Sequence, residues 1–127
     1  MNQFLKGGLV SNARSRSDGN RIEELGEEAV INLSGRLDLN TSPNLRKTAL
    51  KLYLKGQCKN LTIDFANVSY IDTSGLATLV EILVTAKERC AQLTLSGLNE
   101  NVRYLLDVNG LTRFFRIAGA EREELHA

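Results

Sequence analysis

The chain lacks most of the residues from which enzymes build catalytic and metal sites. It has no tryptophan, one proline and a single histidine, His126, next to the end of the sequence. One histidine excludes a histidine-based catalytic triad and most zinc sites. Neither a Gly-x-Gly-x-x-Gly run nor a Walker A run occurs, so no motif signals the binding of nucleotide phosphates. We therefore predict a protein that is not an enzyme, and we assign it no cofactor and no metal.

Long apolar runs and an excess of one charge are also absent. No stretch approaches the ~20 apolar residues of a membrane-spanning helix, and the first residues lack the basic-then-apolar pattern of a signal peptide. Sixteen basic and 15 acidic side chains leave a net charge of +1, which provides no basic field for nucleic acid. We expect a cytoplasmic protein without membrane insertion and without a nucleic-acid partner.

The two cysteines, Cys58 and Cys90, are too few for a disulfide framework. They occupy matching places in CKNLTI and CAQLTL, each just before a predicted strand. Because no export signal is present, we expect both to be reduced thiols at the edge of the core.

The 127 residues suffice for one domain with one hydrophobic core. Residues 1–20 are polar, rich in Gly, Ser and Asn, and without a sustained period, which is typical of a flexible tail. A short extra strand near FLKGGLV is the alternative for this segment. We predict a domain over residues 21–120 and a C-terminal tail or helix end over residues 121–127.

Within this domain, strand patterns alternate with helix patterns in the order β-β-α-β-α-β-α-β. The predicted strands are RIEEL, AVINLSGRL, LTIDFANV, QLTLSGL and RFFRIAG. The first predicted helix starts at Ser42 and stops at Gly56, and the other two cover TSGLATLVEILVTAKERC and NENVRYLLDVNGL. Ser42 before Pro43 predicts an N-cap with proline in the first turn. Gly110 followed by Leu111 predicts a Schellman ending. Short connections of this kind predict an α/β fold whose mixed, mostly parallel sheet packs against helices.

Residues 69–80, SYIDTSGLATLV, place an aspartate, two hydroxyls and a glycine where a strand pattern becomes a helix pattern. One capping residue is enough to start a helix, so capping leaves the pair Thr73 and Ser74 unexplained. The carboxyl ends of strands in such sheets are where binding occurs. A phosphate there would meet free amides and the helix dipole, and would add about −1.5 to −2 charge beside Asp72. The motif therefore predicts a phosphorylation switch.

Three stretches resemble the STAS domain family, which includes anti-sigma factor antagonists and the tails of sulfate transporters. They are GRLDLNTSPNLRK, LTIDFANVSYIDTSGLATLV and LTLSGLNENVRYLLDVNGLTRFFRI, and the resemblance as a whole extends over about residues 21–118. The resemblance implies a STAS-like fold and phosphorylation at Thr73, the residue after the motif aspartate, with Ser74 as the alternative. Arg36 stands where the family commonly has Glu. The resemblance and the motif together predict this partner-binding set: Gly35, Asp38, Asp72, Thr73, Ser74, Gly75 and Leu76.

The resemblance also implies the partners. The unphosphorylated protein is expected to bind an anti-sigma factor that is a serine/threonine kinase, which releases a sigma factor. Phosphorylation of Thr73 by that kinase would reverse the binding, and a phosphatase would reset it. Two alternatives remain: the STAS subunit of a lipid-transport ABC complex, and a component of a stressosome-like scaffold. We expect a monomer or a weak homodimer.

Overall fold

Strands and helices alternate along the described part of the chain, which in this computed structural model is residues 14–17 and 20–119. The strands are β1 (Arg14–Ser17), β2 (Asn20–Leu25), β3 (Glu28–Leu37), β4 (Asn60–Ile71), β5 (Gln92–Ser96) and β6 (Arg116–Ile117). The helices are α1 (Ser42–Leu54), α2 (Thr73–Glu88) and α3 (Glu100–Val108), and a single 3-10 turn covers Thr112–Phe114.

The strands form one sheet in the order β1-β2-β3-β4-β5-β6. The pairs β1–β2 and β2–β3 are antiparallel, and each later strand lies parallel to its neighbour. Each parallel connection contains a helix and steps the same way along the sheet. Right-handed crossovers of this kind place their helices on one face. The predicted mixed, mostly parallel sheet packed against helices is confirmed.

The core lies between this face and the helices. Along β4, Leu61, Ile63 and Phe65 are fully buried, whereas the alternate residues Thr62 and Asp64 are half-buried. The helices contribute the other fully buried side chains, among them Leu45, Ala49, Leu79, Ile82 and Leu106. No helix of the described residues is long and apolar enough to span a membrane.

The helix ends test two predictions made from capping residues. The Schellman ending of α3 is confirmed: Gly110 has φ +67°, its amide donates to the Asp107 carbonyl at 3.0 Å, and the Leu111 amide donates to the Leu106 carbonyl at 2.8 Å. The predicted N-cap of α1, Ser42, is wrong by one residue. Thr41 is the N-cap residue, whereas Ser42 is the first helical residue and is buried.

Two differences from the predicted elements lie near the ends of the described residues. Strand β1 pairs with β2 inside the segment 1–20 that was predicted to be a tail. The strand expected over RFFRIAG is reduced to the two residues of β6, because the 3-10 turn takes up its first half. FLKGGLV and residues 121–127 lie outside the described residues.

Candidate functional site

Strands β3 and β4 end side by side, and this edge of the sheet carries the candidate site. Leu37 pairs with Ile71 in the last step of the parallel ladder, and the Asp72 amide donates to the Leu37 carbonyl at 3.2 Å. The next residues, Asp38 and Thr73, therefore leave the sheet at the same edge. The two motifs that the sequence separates by more than 30 residues are neighbours in the fold.

Asp72 starts helix α2. Its carboxylate accepts a hydrogen bond from the Gly75 amide at 3.0 Å, and its carbonyl accepts one from the Leu76 amide at 3.0 Å. This is an aspartate N-cap, and its negative charge is favourable at the positive end of the helix dipole. The amides of Thr73 and Ser74 have no intrahelical acceptor, because they belong to the first turn.

Thr73 is exposed, and Ser74 is half-buried. Neither hydroxyl has a hydrogen-bond partner in the part of the chain that the structure describes. Capping is therefore complete without them, since the Asp72 carboxylate performs it. Of the two hydroxyls, that of Thr73 is the more accessible to another protein.

Gly75 and Leu76 differ from the other predicted partner-binding residues because both are buried. A Cβ atom at Gly75 would lie 2.7 Å from Cγ1 of Ile71 and 2.8 Å from the carbonyl oxygen of Leu37. The absence of a side chain thus lets the first turn of α2 lie directly against the end of β3. Both residues support the site through packing, and the exposed surface is left to the residues around them.

Asp38 organises the loop between β3 and α1. Its Oδ1 accepts from the amides of Asn40 at 3.0 Å and Thr41 at 3.3 Å. The Thr41 hydroxyl accepts from the Asp38 amide at 2.9 Å and donates to the Arg36 carbonyl at 2.7 Å. This closed set of bonds fixes the loop in one conformation beside Thr73.

Arg36 lies between Asp38 and Tyr70. Its Nε donates to Oδ2 of Asp38 at 3.3 Å, and its guanidinium carbon lies 4.2 Å from the centroid of the Tyr70 ring. The ring is half-exposed, and the neighbouring Leu39 side chain is 72% exposed. The surface beside Thr73 therefore combines two apolar side chains with one cation and the carboxylates of Asp38 and Asp72.

Hydrogen bonding lowers the pKa of Asp38 from its ordinary value of 3.8. Desolvation acts to raise this pKa, but the amide of Asn40, the guanidinium of Arg36 and the amide and hydroxyl of Thr41 together outweigh it. Asp38 is consequently ionised at neutral pH, and its negative charge is held in place next to the start of α2.

Gly35 forms a bulge just before this loop. It adopts φ +82°, and the β3–β4 register shifts between Gly35 and Arg36. The Gly35 carbonyl accepts from the Ser69 hydroxyl at 3.2 Å on the neighbouring strand. Gly35 thus directs the end of β3 and places Arg36 opposite Tyr70 in the ladder.

The described residues at this edge line a small cavity. This cavity, lined by Arg36, Leu37 and Thr41 among others, has a volume of about 10 Å³, enough for about one water molecule. No group of three or more potential ligands that could hold a metal occurs among the described residues. This cavity is too small for a drug-sized or substrate-sized molecule.

The contribution of Tyr70, Leu39 and Thr41 to this edge was missed in the sequence. The sequence pattern placed Tyr70 in a strand and Leu39 in a loop, but it did not indicate that either side chain lies at this edge. Thr41 was overlooked because Ser42-Pro43 gave the stronger capping signal. Asp38 and Thr41, three residues apart, were the available sign of a side-chain-closed turn.

Comparison with known protein families gives a match over most of the chain. The family model described as "Mlab, STAS domain" matches residues 20–120. An anti-sigma-B factor antagonist of Listeria monocytogenes serovar 1/2a is 32% identical over 93 residues, which are 73% of this chain and 81% of that protein.

Solved structures give the same fold. The anti-sigma factor antagonist SpoIIAA in its unphosphorylated form superposes with a TM-score of 0.70 at 21% identity, covering 82% of this chain and 91% of that one. The Bacillus cell fate determinant SpoIIAA in its phosphorylated form superposes with a TM-score of 0.65 at 19% identity, covering 84% of this chain and 97% of that one.

Proposed function

Since the chain belongs to the STAS domain family, we propose that it is an anti-sigma factor antagonist whose partner binding is switched by phosphorylation of Thr73. In this proposal the unphosphorylated protein binds an anti-sigma factor serine/threonine kinase and so releases a sigma factor. The kinase then phosphorylates Thr73 and dissociates, and a phosphatase restores the binding form. The antagonist role is supported by the relative that is 32% identical over 73% of the chain.

The observation that carries the switch is the state of Thr73. It is exposed at the first position of α2, and its hydroxyl has no hydrogen-bond partner within the described residues. A structural hydroxyl would be expected to have a partner, whereas a hydroxyl that a kinase must reach has to be accessible.

The charges around Thr73 support the direction of the switch. The carboxylates of Asp38 and Asp72 lie at this edge, and the Asp38 carboxylate is paired with Arg36. A phosphate would add about −1.5 to −2 charge there. In a desolvated contact, an uncompensated charge costs about 2–5 kcal/mol, or roughly 30- to 4,000-fold in Kd. Partner dissociation after phosphorylation follows from this cost.

A second candidate is the STAS subunit of a lipid-transport ABC complex. It is favoured by the description of the matching family model, which names Mlab and not an antagonist. In this candidate the same edge docks onto a transport ATPase, and Thr73 remains unmodified. The surface of apolar and charged side chains beside α2 serves either role.

Affinity capture with two variants separates the candidates. Purified Thr73→Ala and Thr73→Glu chains are used as baits in a lysate of the source cells, and the captured proteins are quantified by mass spectrometry. We expect a serine/threonine kinase to be recovered with the alanine variant at least about 30-fold more than with the glutamate variant, because the added charge meets a desolvated contact.

Thr85→Glu is the matched control. It makes the same substitution on the same helix, 12 residues or about 18 Å from Thr73, and is expected to capture the kinase as the unaltered chain does. Equal recovery of the kinase by Thr73→Ala and Thr73→Glu would contradict the switch. Recovery of ABC transporter subunits by both variants would favour the second candidate.

A further inference from the structure

Cys58 and Cys90 lie at the edge of the sheet opposite to Thr73. The β4–β5 ladder begins with the pair Asn60 and Gln92. Cys58 lies two residues before Asn60, and Cys90 lies two residues before Gln92. The Gln92 amide donates to the Lys59 carbonyl at 2.8 Å, so the two chain segments are still adjacent one residue before that step. Both cysteines therefore lie within two residues of a hydrogen-bonded step, and a disulfide requires Cα atoms roughly 4.4–6.8 Å apart.

Both cysteines line the same surface cavity. It has a volume of about 250 Å³ and lies between the end of α1, the end of α2 and the start of β4. Cys58 is half-buried and packs against the core, as expected, whereas Cys90 is exposed, so the expectation that it lies at the core edge is wrong. One thiol is thus accessible to a reagent, and the other lies beside it in a partly protected position.

Cys90 occupies a backbone position that is unfavourable for any residue with a side chain. Each of the three described helices is followed by a residue with positive φ: Gly56 at +85°, Gly110 at +67° and Cys90 at +55°. The Cys90 amide donates to the Lys87 carbonyl at 3.1 Å and the Ala91 amide to the Ala86 carbonyl at 2.8 Å, which is a Schellman ending. Glycine occupies this position after α1 and α3, so the cysteine after α2 carries a cost in backbone strain.

We propose that Cys58 and Cys90 form a reversible modification site, at which a peroxide closes an intramolecular disulfide between them. The thiolate of Cys90 attacks a peroxide oxygen, the O–O bond breaks, and a sulfenic acid and water form. The sulfur of Cys58, after losing its proton, attacks the Cys90 sulfur and displaces the oxygen as a second water molecule. Two thiols and one hydrogen peroxide thus give one disulfide and two waters.

The surroundings support this order of events. Desolvation raises the pKa of the Cys58 thiol, and the carboxylates of Glu24 and Glu28 raise it further against the opposing effect of the Asn60 amide. Cys58 is therefore protonated at neutral pH and is the slower of the two to react directly with an oxidant. The exposed Cys90 reacts first, and Cys58 resolves it. The resulting bond joins the C-terminal end of α2 to the start of β4, and it does not depend on the function proposed for Thr73.

The test is oxidation of the full chain with one equivalent of hydrogen peroxide. We expect the free thiols of the denatured protein to fall from two to zero, the intact mass to fall by about 2 Da for two lost hydrogens, and a reducing agent to reverse both changes. Peptide mapping without reduction is expected to recover a peptide linked through Cys58 and Cys90. The rate of bond closure after Cys90 oxidation is expected to be independent of protein concentration.

Cys58→Ser and Cys90→Ser are the matched controls, since neither can close the bond. The Cys58→Ser chain is expected to gain oxygen at Cys90 or to dimerise through it, and the Cys90→Ser chain is expected to react more slowly. The proposal is overturned if the unaltered chain gains oxygen without losing hydrogen, forms only intermolecular disulfides, or keeps two free thiols.

Discussion

Individual side chains at the Thr73 edge divide into those that build the surface and those that are displayed on it. Asp72 caps α2, and Asp38 accepts hydrogen bonds within the loop between β3 and α1. Both carboxylates therefore stabilise local structure in the free protein. Thr73 has no such role among the described residues. Arg36 is intermediate, since it pairs with Asp38 while its side chain stays 61% exposed. The greater exposure of Thr73 is the reason for proposing it, and not Ser74, as the phosphorylated residue.

The ionisation of Asp38 gives a pH prediction. The pKa of Asp38 in the folded state is lowered below its ordinary value of 3.8. Ionised Asp38 therefore stabilises the fold fully at pH values above 3.8, and this stabilisation is lost as the pH falls through the lower folded-state pKa. A carbon-detected NMR titration should give an Asp38 midpoint below 3.8. In Arg36→Ala the midpoint should rise, because one of the groups that favour the carboxylate is gone.

Arg46→Ala is the control for this titration. Arg46 makes an exposed ion pair with Glu81 at 3.0 Å and no hydrogen bond to Asp38 in the part of the chain that the structure describes. The Asp38 midpoint should be unchanged in this variant. A midpoint at or above 3.8 in the unaltered chain, or one that Arg36→Ala leaves in place, would contradict the assigned hydrogen bonds.

At the scale of elements, the site depends on how closely α2 begins against the end of β3. Gly75 permits this contact, because a Cβ atom would meet the Leu37 carbonyl and the Ile71 side chain at under 3 Å. A similar close approach occurs just after β5, where a Cβ atom at Gly97 would lie 2.7 Å from Oδ1 of Asp64. Glycine in these two positions serves close packing of neighbouring segments.

Gly75→Ala tests this packing, because helix propensity and overpacking predict changes of opposite sign in the free energy of unfolding. Helix propensity alone predicts a gain of about 1 kcal/mol in the free energy of unfolding. Overpacking against a backbone carbonyl predicts a loss of about 1–3 kcal/mol, and we expect the loss. Urea denaturation monitored by circular dichroism measures the difference.

Ala77→Gly calibrates the propensity term, since Ala77 is exposed on the same helix. This variant should lose about 1 kcal/mol. If Gly75→Ala proved as stable as the unaltered chain, or more stable, the close approach of α2 to β3 would not be the reason for glycine.

The sequence predicts elements well wherever one local rule decides. Apolar periodicity located the strands and helices of the central domain, and Gly110-Leu111 located the end of α3. Local rules failed where two signals competed: Ser42-Pro43 outweighed Thr41 at the start of α1. They also failed for the short polar strand β1, which has no apolar periodicity in its sequence. This strand forms through backbone pairing with β2.

In the whole molecule, strands β3, β4 and β5 run parallel, so all three begin at one edge of the sheet and end at the opposite edge. One edge carries Asp38 and Thr73, and the opposite edge carries Cys58 and Cys90. The motifs at the first edge were recognisable in the sequence, but the stacking of Arg36 on Tyr70 was not, because it depends on the register of two strands far apart in the chain.

Phosphorylation of the chain by the captured kinase, followed by titration of that kinase, tests the proposed switch at Thr73. The chain is incubated with the kinase and Mg-ATP, the modified residue is located by mass spectrometry, and the Kd of the kinase is measured for both forms by calorimetry. We expect phosphate on Thr73, no phosphate on the Thr73→Ala chain, and binding of the kinase at least about 30-fold weaker in Kd after modification. Phosphate on Ser74 alone, or an unchanged Kd, would contradict this switch.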